Sequence, residues 1–432
     1  MSKKKRNPDH MRRRNRPSEN DEVIEKQFKE LLSPAVFRQE SYYRSLGMRS
    51  RILNLSLMVA SVLTLIWRQV PSVHELTRML NRDDLLWCKA VDVSQQAVSE
   101  RLLVFPAVLF EKVYKELVPL LIERWEQRKR RPLPPAIEAA QAHFAHIWAA
   151  DGSTLEALFR KLDALKEVKT GQLAGKMCLV IDLVRQLPQE LWFSEESMAY
   201  DTNFTQNLLD LAGKKTLLIL DRGFYDFTFF ARLVDQGSHL ITRLKTNAAI
   251  ETVRMLTKTD TVRDSLIRLG TGQNGAPILT MRLIEVRVGR SWHRYVTSVL
   301  VPEVLPPFVV ADLYCRRWRI EDAFHTAKRL LGLSYLWTGS VNGIQLQIWA
   351  TWLFYAVLVD LGDAVADAIA LPFDRISLEM LFRAIYHFTQ AHHKGKATDP
   401  IAYFAAPENK DLGIVKQKRK QIPKLDLRPY PF

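Results

Sequence analysis

The spacing of apolar residues changes along the chain. From about residue 22 to 121, apolar positions recur at helical spacing, as in VIEKQFKELL and VFPAVLFEKVYKELVPLL, which predicts a helical N-terminal domain. The charged, proline-rich stretch Arg128–Pro135 suggests a domain boundary. Beyond it, the run Thr216–Asp221 (TLLILD) is a continuous apolar run, as in a strand that is buried on both faces.

Strands and helices alternate in the middle of the chain. HIWAADGSTL, KMCLVIDLVR and QELWF are predicted strands, and the helical segments MAYDTNFTQNLLDLAG and FYDFTFFARLVDQG end at Gly213 and Gly237. This alternation predicts an α/β domain.

Residues 250–301 depart from that alternation. ILTMRLIEVRV and WHRYVTSVLV predict a hairpin that turns at Val288–Arg290, and much of this region is expected to be a β-rich insertion. Its basic and aromatic residues suit single strands or unstacked bases, although burial of Trp292 within the hairpin is the alternative. These residues are Arg282, Arg287, Arg290, Trp292, His293, Arg294 and Tyr295.

A polar stripe is predicted on the helix that follows, YCRRWRIEDAFHTAK. Within one regular α-helix its four polar side chains would share an arc of about 60°. They are Tyr314, Arg317, Glu321 and Lys328. Pro306 and Pro307 precede this segment and Gly332 follows it, as start and stop signals would. A carboxylate between a phenol, a guanidinium and an ammonium suits a metal beside a phosphate, whereas an ordinary solvated face is the alternative.

Two aspartates, Asp151 and Asp221, close predicted strands. The carboxyl ends of strands are where open sheets expose functional groups. Such an aspartate can also be a turn or cap residue. The presence of Glu321 in a basic region further along the chain favours a functional role for the two aspartates.

Two apolar segments, Ile52–Ile66 and Ile344–Leu361, are predicted to be buried helices rather than membrane spans, because both are short and contain polar residues. The basic N-terminus is not followed directly by an apolar run, so it does not resemble a signal peptide. The three cysteines have no metal-ligand spacing, and their number does not suggest a disulfide framework. A reducing cytoplasm fits this pattern.

The formal net charge of +15 is concentrated in runs of Lys and Arg at 3–6, 12–14, 128–131 and 416–420. This charge favours a polyanionic partner such as nucleic acid, although a basic surface can also serve only solubility. Within the helical domain, Val91–Leu102 resembles the second helix of a helix-turn-helix, with Ser94 as its N-cap. An ordinary capped surface helix is the alternative. The expected DNA contacts are Gln95, Gln96, Ser99 and Arg101.

The spacing of Tyr314, Arg317, Glu321 and Lys328 matches the Y-x2-R-x3-E-x6-K signature of the DDE transposases of bacterial insertion sequences, the IS-four family. Asp151 in AADGSTL and Asp221 in LILDRGFYD resemble that family's first and second aspartates. ITRLKTN, which contains Arg243 and Lys245, is similar to its usual following strand.

The resemblance implies an α/β fold with an RNase H-like catalytic core, interrupted by a β-rich insertion and preceded by a helical DNA-binding domain. The expected organisation, in chain order, is a disordered basic arm at 1–21, a helical DNA-binding domain at 22–130, a core at 140–247 and 304–395, an insertion at 248–303, and a basic tail at 396–432.

The implied activity is cut-and-paste DNA transposition. Asp151, Asp221 and Glu321 would be the catalytic metal ligands for two Mg²⁺ or Mn²⁺ ions, which would activate the attacking oxygen and stabilise the departing one. The implied phosphate contacts are Tyr314, Arg317, Lys328, Arg243 and Lys245.

The implied partners are double-stranded DNA, as transposon terminal inverted repeats and target DNA, and a second copy of the chain in a synaptic homodimer. The implied location is the bacterial cytoplasm, at the nucleoid. Members with this signature often cleave through a DNA hairpin, for which Trp292 is the expected stacking residue. The region around Tyr200 and Asp201 shows no clear match to the family. A DNA-binding regulator without catalysis and an RNase H-like nuclease are the alternative functions.

Overall fold

The structure, a computed structural model, describes residues 22–155, 175–270, 275–333, 336–337 and 340–415. The predicted basic arm at 1–21 and the basic run at 416–420 lie outside the described residues.

The chain divides into two compact units. Among the described residues, the first contains those within 22–124, 326–360 and 382–403, and the second contains those within 125–325, 361–381 and 404–415. The helical unit therefore includes segments from the C-terminal half of the chain in addition to the N-terminal residues from which it was predicted.

The first unit is helical. In α3, which runs from Leu55 to Trp67, Asn54 is the N-cap and its side chain accepts a hydrogen bond from the Leu57 amide. The Phe28 ring packs against Trp67 at 5.3 Å and against Phe354 at 5.4 Å between ring centroids. Helices wholly or largely in this unit are α1 (Glu22–Arg38), α2 (Glu40–Ser45), α3, α4 (Val73–Leu80), α5 (Gln95–Val104), α6 (Val108–Gln127), α12 (Val341–Ala368), α13 (Leu378–His393) and α14 (Pro400–Ala405).

Helix α12 is long and apolar enough to cross a membrane by length and composition, but 89% of its apolar window is buried inside the protein. This burial agrees with the prediction of a core helix. Helix α14 shows that the predicted tail at 396–432 begins with ordered helical structure.

The second unit is built on one nine-stranded sheet with the order β3-β2-β1-β4-β5-β9-β8-β7-β6. Its strands are β1 (His146–Thr154), β2 (Lys176–Asp182), β3 (Pro188–Ser194), β4 (Thr216–Leu220), β5 (His239–Arg243), β6 (Ile250–Lys258), β7 (Val262–Leu269), β8 (Leu279–Val288) and β9 (Ser291–Thr297). Strands β1, β4 and β5 are parallel neighbours, and the remaining pairs are antiparallel. Every residue of β4 is buried, as its unbroken apolar run predicts.

Helices cover both faces of this sheet. Ile147, Ala149 and Ile219 face a core shared with α7 (Pro135–Gln141) and α10 (Pro307–Arg316). Alternate residues of the same strands face the opposite core, which contains α8 (Thr205–Leu211) and α9 (Phe227–Asp235). The period of two along each strand thus determines which helix a side chain meets.

The β-rich insertion continues the same sheet, because β9 pairs with β5 and β6–β8 follow beyond it. The predicted hairpin is confirmed: β8 and β9 pair up to Val288 and Ser291, and Gly289 in the turn has a φ of +61°. Arg282 and Asp264 form a buried ion pair between neighbouring strands in this part of the sheet.

The predicted single helix over Tyr314–Lys328 differs from the structure. Helix α10 ends at Arg316, α11 covers Trp318–His325, and a π-helical turn follows at Thr326–Leu330. Around Arg317, hydrogen bonds join residues three apart, which tightens the backbone there, whereas the π-turn widens it. Tyr314, Arg317, Glu321 and Lys328 therefore do not lie on one regular α-helix, on which the prediction of a common arc depended.

Candidate functional site

The two aspartates that were predicted to end strands lie side by side in the sheet. Asp221 directly follows β4, whereas β1 continues past Asp151 to Thr154, paired with β2. Ala150 of β1 is opposite Leu220 of the parallel strand β4, so Asp151 and Asp221 are the next residues along two strands that are about 4.8 Å apart. Ala150 and Leu220 face the α8–α9 core. By alternation, both aspartates face the side covered by α10.

Arg317, at the junction of α10 and α11, lies among three carboxylates. Its Nη1 donates to Asp151 Oδ2 at 2.5 Å, and its Nη2 donates to Glu321 Oε1 at 3.1 Å. The same Nη2 is 3.5 Å from Asp221 Oδ1. The structure therefore brings together the three predicted acidic residues, and the guanidinium is the cation that joins them.

The pKa of Asp151 is raised to about 7, chiefly by burial; the positive charge of Arg317 opposes this shift, and the negative charges of Asp221 and Asp201 add to it. For Arg317, burial lowers the pKa, but the carboxylates led by Asp151 outweigh burial and the net shift is upward. One guanidinium, with a single positive charge, thus faces three carboxylates and cannot neutralise all of them.

Tyr314 joins this site from α10. Its ring packs on Tyr295 of β9 at 5.3 Å, and its hydroxyl lies 3.5 Å from Asp221 Oδ1. Burial raises its pKa, and the positive charges of Arg317 and Arg243 oppose that shift. Arg243, the last residue of β5, is thus within electrostatic reach of the same group.

The donor set fits a hard divalent cation, because Asp151, Asp221 and Glu321 supply only carboxylate oxygens. A net negative site with a raised carboxylate pKa also favours added positive charge. Within the described ranges, no three His, Cys, Asp or Glu side chains are arranged closely enough to hold a metal ion as they stand. The interposed guanidinium of Arg317 accounts for that arrangement at this site.

Other predicted contact residues occupy different environments. Lys328 is in the π-helical turn of the first unit, where burial lowers its pKa. Lys245 lies over the Tyr225 ring at 5.0 Å. Trp292 is half-buried, and the exposed Arg263 covers its ring at 4.5 Å. Their DNA contacts stay predictions.

The predicted recognition helix is α5, and Ser94 caps it as expected by accepting from the Ala97 amide. Gln95 and Gln96 are exposed. Arg101 instead turns inward: it donates to the Leu53 carbonyl and pairs with the Tyr43 hydroxyl.

Residues 81–94 separate α4 from α5. This connection is much longer than the turn of a helix-turn-helix. Ser99 lies half-exposed on α5.

One acidic residue escaped the sequence prediction. Asp201 begins a 3-10 turn before α8, and its carboxylate lies against Gly152 and Gly223, the residues just beyond the two site aspartates. A glycine after each strand-end aspartate was the available signal, because glycine in a strand often marks a close approach of another group.

Residues 149–357 match the family described as "Transposase DDE domain". The chain is 26% identical over 148 residues to the "Putative transposase y4zB" of Sinorhizobium fredii, a match that covers 32% of this chain and 41% of the relative. It is also 26% identical over 167 residues to the "Transposase InsG for insertion sequence element IS4" of Escherichia coli, covering 36% of this chain and 37% of that protein. The matches thus span about two fifths of the length of these curated relatives. The family region contains Asp151, Asp221 and Glu321.

Proposed function

We propose that this protein is the transposase of a bacterial insertion sequence and catalyses cut-and-paste DNA transposition. The match of residues 149–357 to the family described as "Transposase DDE domain" and the similarity to a transposase of insertion sequence element IS4 support this proposal. The observation that carries the proposal is the convergence of Asp151, Asp221 and Glu321 on Arg317, from two parallel strands and a helix.

The proposed catalytic core is RNase H-like. Supporting this assignment, three antiparallel strands are followed by two strands parallel to the first, in the order β3-β2-β1-β4-β5. The acidic residues come from the central strands β1 and β4 and from a helix packed on one face. Strands β6–β9 would then be the insertion that separates the second aspartate from the glutamate.

In the proposed reaction, Asp151, Asp221 and Glu321 hold the divalent cations. Mg²⁺ or Mn²⁺, when bound, would lower the pKa of the attacking hydroxyl group and neutralise the charge on the leaving oxygen of the phosphodiester. The carboxylates must be ionised for this role. Because the pKa of Asp151 is raised to about 7, this carboxylate ionises only near pH 7 and above.

Arg317 has two uses in this scheme. Before substrate arrives, its guanidinium balances the three carboxylates. With cations bound to those carboxylates, the N–H donors of Arg317 would be available for a phosphate beside the scissile bond, which a guanidinium can bind in a bidentate manner. Tyr314, held next to Asp221 by its packing on Tyr295, is placed to donate to a phosphate oxygen.

Double-stranded DNA is the proposed substrate, as the element's inverted-repeat ends and the target, and a homodimer is the proposed synaptic assembly. The charge of +15 supports a polyanionic partner. Lys328, Arg243 and Lys245 are further proposed phosphate contacts.

The test is cleavage of a DNA fragment that carries the ends of the element, with Mg²⁺, by the wild type and by Asp151→Ala, Asp221→Ala and Glu321→Ala. Each variant should lose cleavage while end-DNA binding persists, and wild-type binding should weaken steeply with salt. Asp210→Ala, at an exposed position on α8, is the matched control and should cleave normally.

Undiminished cleavage by any of the three variants overturns the assignment. A wild type that binds end DNA but never cuts it would instead support a DNA-binding regulator. Cutting without joined products would support a nuclease.

A further inference from the structure

The Asp201 carboxylate lies between Gly152, near the end of β1, and Gly223, in the turn after β4. A methyl group built on Gly152 would lie 2.0 Å from Asp201 Oδ1, and one built on Gly223 would lie 1.9 Å from Asp201 Oδ2. Each carboxylate oxygen therefore rests against the backbone of one glycine, and the group fills the space between the loop after β4 and the outer end of β1.

The two glycines are needed for space rather than for backbone freedom. Neither Gly152 nor Gly223 has a φ in the left-handed region, so other residues could adopt these backbone conformations. A β-carbon at either position would overlap the Asp201 carboxylate, which is the close approach that glycine permits.

Lys176 holds the Asp201 carboxylate in this place. Its Nζ lies 2.6 Å from Asp201 Oδ1 and donates to the Ala199 carbonyl at 2.7 Å. Lys176 begins β2, opposite Thr154 of β1, and its side chain is only 12% exposed, as against 15% for Asp201. A largely buried ion pair with fixed partners holds its position far better than an exposed one.

We propose that Asp201 is a positioning residue of the metal site, whose carboxylate, wedged between Gly152 and Gly223 and anchored by Lys176, sets the separation of Asp151 and Asp221. Asp151 directly precedes Gly152, and Asp221 is two residues before Gly223. A shift of the Asp201 carboxylate against these glycines would therefore move both aspartates through only one or two peptide units. The inference rests on the proposed function, because separation of two carboxylates matters when both must hold cations.

A double-mutant cycle tests the contact between Gly152 and the Asp201 carboxylate without requiring any activity. Gly152→Ala should lower the unfolding temperature of the full chain by about 4 °C or more, because the new methyl group collides with the carboxylate. The same methyl group would also lie 2.8 Å from Cε of Lys176, near the flexible end of that side chain. Asp201→Ala removes the carboxylate and frees Lys176 to move, so Gly152→Ala/Asp201→Ala should unfold close to Asp201→Ala alone. Additive losses in the double variant would show that Gly152 and Asp201 do not share this space, and would overturn the proposal.

A second measurement tests positioning. Mn²⁺ binding, followed by calorimetry, should weaken by about 10- to 100-fold in Asp201→Asn, which keeps the shape of the side chain but loses its charge and its ion pair with Lys176. Because Lys176 loses its ionic partner, the unfolding temperature should fall, so Mn²⁺ binding is measured at a temperature at which the variant is fully folded. Asp210→Asn, on neighbouring α8, is the matched control and should bind Mn²⁺ as the wild type does.

Wild-type Mn²⁺ affinity in both Asp201→Asn and Asp201→Ala would overturn the positioning role. The two proposals fail separately. A wild type that does not cleave element ends specifically would count against the transposase assignment. The double-mutant cycle and the comparison of Mn²⁺ affinities decide the role of Asp201.

Discussion

Arg317 Nη1 lies 2.5 Å from Asp151 Oδ2, and this contact holds the helical junction against the end of β1. The side chains of Arg317 and Asp151 are only 6% and 13% exposed. If one of them were removed, little water could reach the other charge to solvate it. Removing the guanidinium would leave Asp151, Asp221 and Glu321 facing one another without a countercharge.

Arg317→Gln should therefore cost about 3 kcal/mol of unfolding free energy at pH 8 in metal-free buffer, as for one partner of a buried ion pair. Because Arg317 lowers the pKa of Asp151, its loss raises that pKa above about 7. Asp151 is then neutral at pH 5, and the stability loss should be smaller there. Denaturant unfolding at the two pH values measures both effects.

Arg222→Gln, an exposed position beside Asp221, is the control for Arg317→Gln and should change stability little at either pH. An equal loss for Arg317→Gln at pH 5 and pH 8 would contradict the coupling between Arg317 and Asp151.

The raised pKa of Asp151 gives wild-type stability a predictable slope with pH. The unfolded carboxyl group ionises near pH 4, whereas the folded one does so near pH 7. Between these values the folded state binds the extra proton, so the stability contributed by this group falls as pH rises, and it is constant above about pH 7.

Asp151→Asn should remove this slope. In EDTA it should be more stable than the wild type at pH 8, by up to about 4 kcal/mol, and nearly equal to it at pH 4. Urea titrations across this range, with Asp210→Asn as the surface control, provide the measurement. A wild type that gains stability between pH 4 and pH 7 relative to Asp151→Asn would refute the prediction.

The buried strands and the two strand-end aspartates could be predicted because they depend on local sequence. TLLILD is apolar enough to require cover on both faces, and the hairpin at Gly289 is specified by two alternating segments and a short turn. The convergence of Asp151 and Asp221 then follows from parallel pairing of β1 with β4. That pairing could be expected once an α/β domain was predicted.

The contacts made by Arg317 and Asp201 depend on geometry that the sequence does not specify. Arg317 contacts three carboxylates from the junction of α10 and α11, where the sequence predicts one unbroken helix. Asp201 meets Gly152 and Gly223 only after three distant segments have packed together. Arg101 was expected at DNA, but nothing local indicates that a long side chain folds back to Tyr43.

The buried pair of Arg282 and Asp264 should be a stability determinant of the extended sheet. Arg282 Nε donates to Asp264 Oδ1 at 2.8 Å, and Nη1 donates to the carbonyl of Leu305, just before α10. Both side chains are almost fully buried. Arg282→Met should cost about 3 to 5 kcal/mol, because it leaves Asp264 charged and unpaired.

Arg282→Met/Asp264→Leu should recover much of that loss, because replacing both charges by apolar groups removes the unpaired ion. Denaturant unfolding of the two single variants and the double variant measures the coupling. Arg268→Met, on an exposed position of β7, is the control and should change stability by less than about 0.5 kcal/mol. Independent, additive losses at 264 and 282 would contradict the pairing.

Trp292 should contribute a stacking surface for an unpaired base near the cleavage site. It lies three residues before Tyr295, which packs on Tyr314, so it is about 10 Å from that contact along β9 and, by alternation, faces the opposite side of the sheet. Strand β9 runs antiparallel to β5, and its Tyr295 is opposite Arg243 at the end of β5. Trp292 therefore lies beyond the edge of the sheet at which Arg243 and the aspartates are found. The ring is half-buried, and the Arg263 guanidinium already covers it.

Trp292→Ala should weaken capture of a flipped base by about 1 to 3 kcal/mol, whereas Trp292→Phe, which keeps an aromatic face, should retain most of it. A 2-aminopurine next to the cleavage position reports unstacking by its fluorescence, and unfolding temperatures of both variants check the fold. Arg263→Gln is the matched control: it uncovers the ring without removing it, so base capture should be retained. Equal capture by the alanine and phenylalanine variants would show that the base stacks elsewhere, since only the aromatic face distinguishes them.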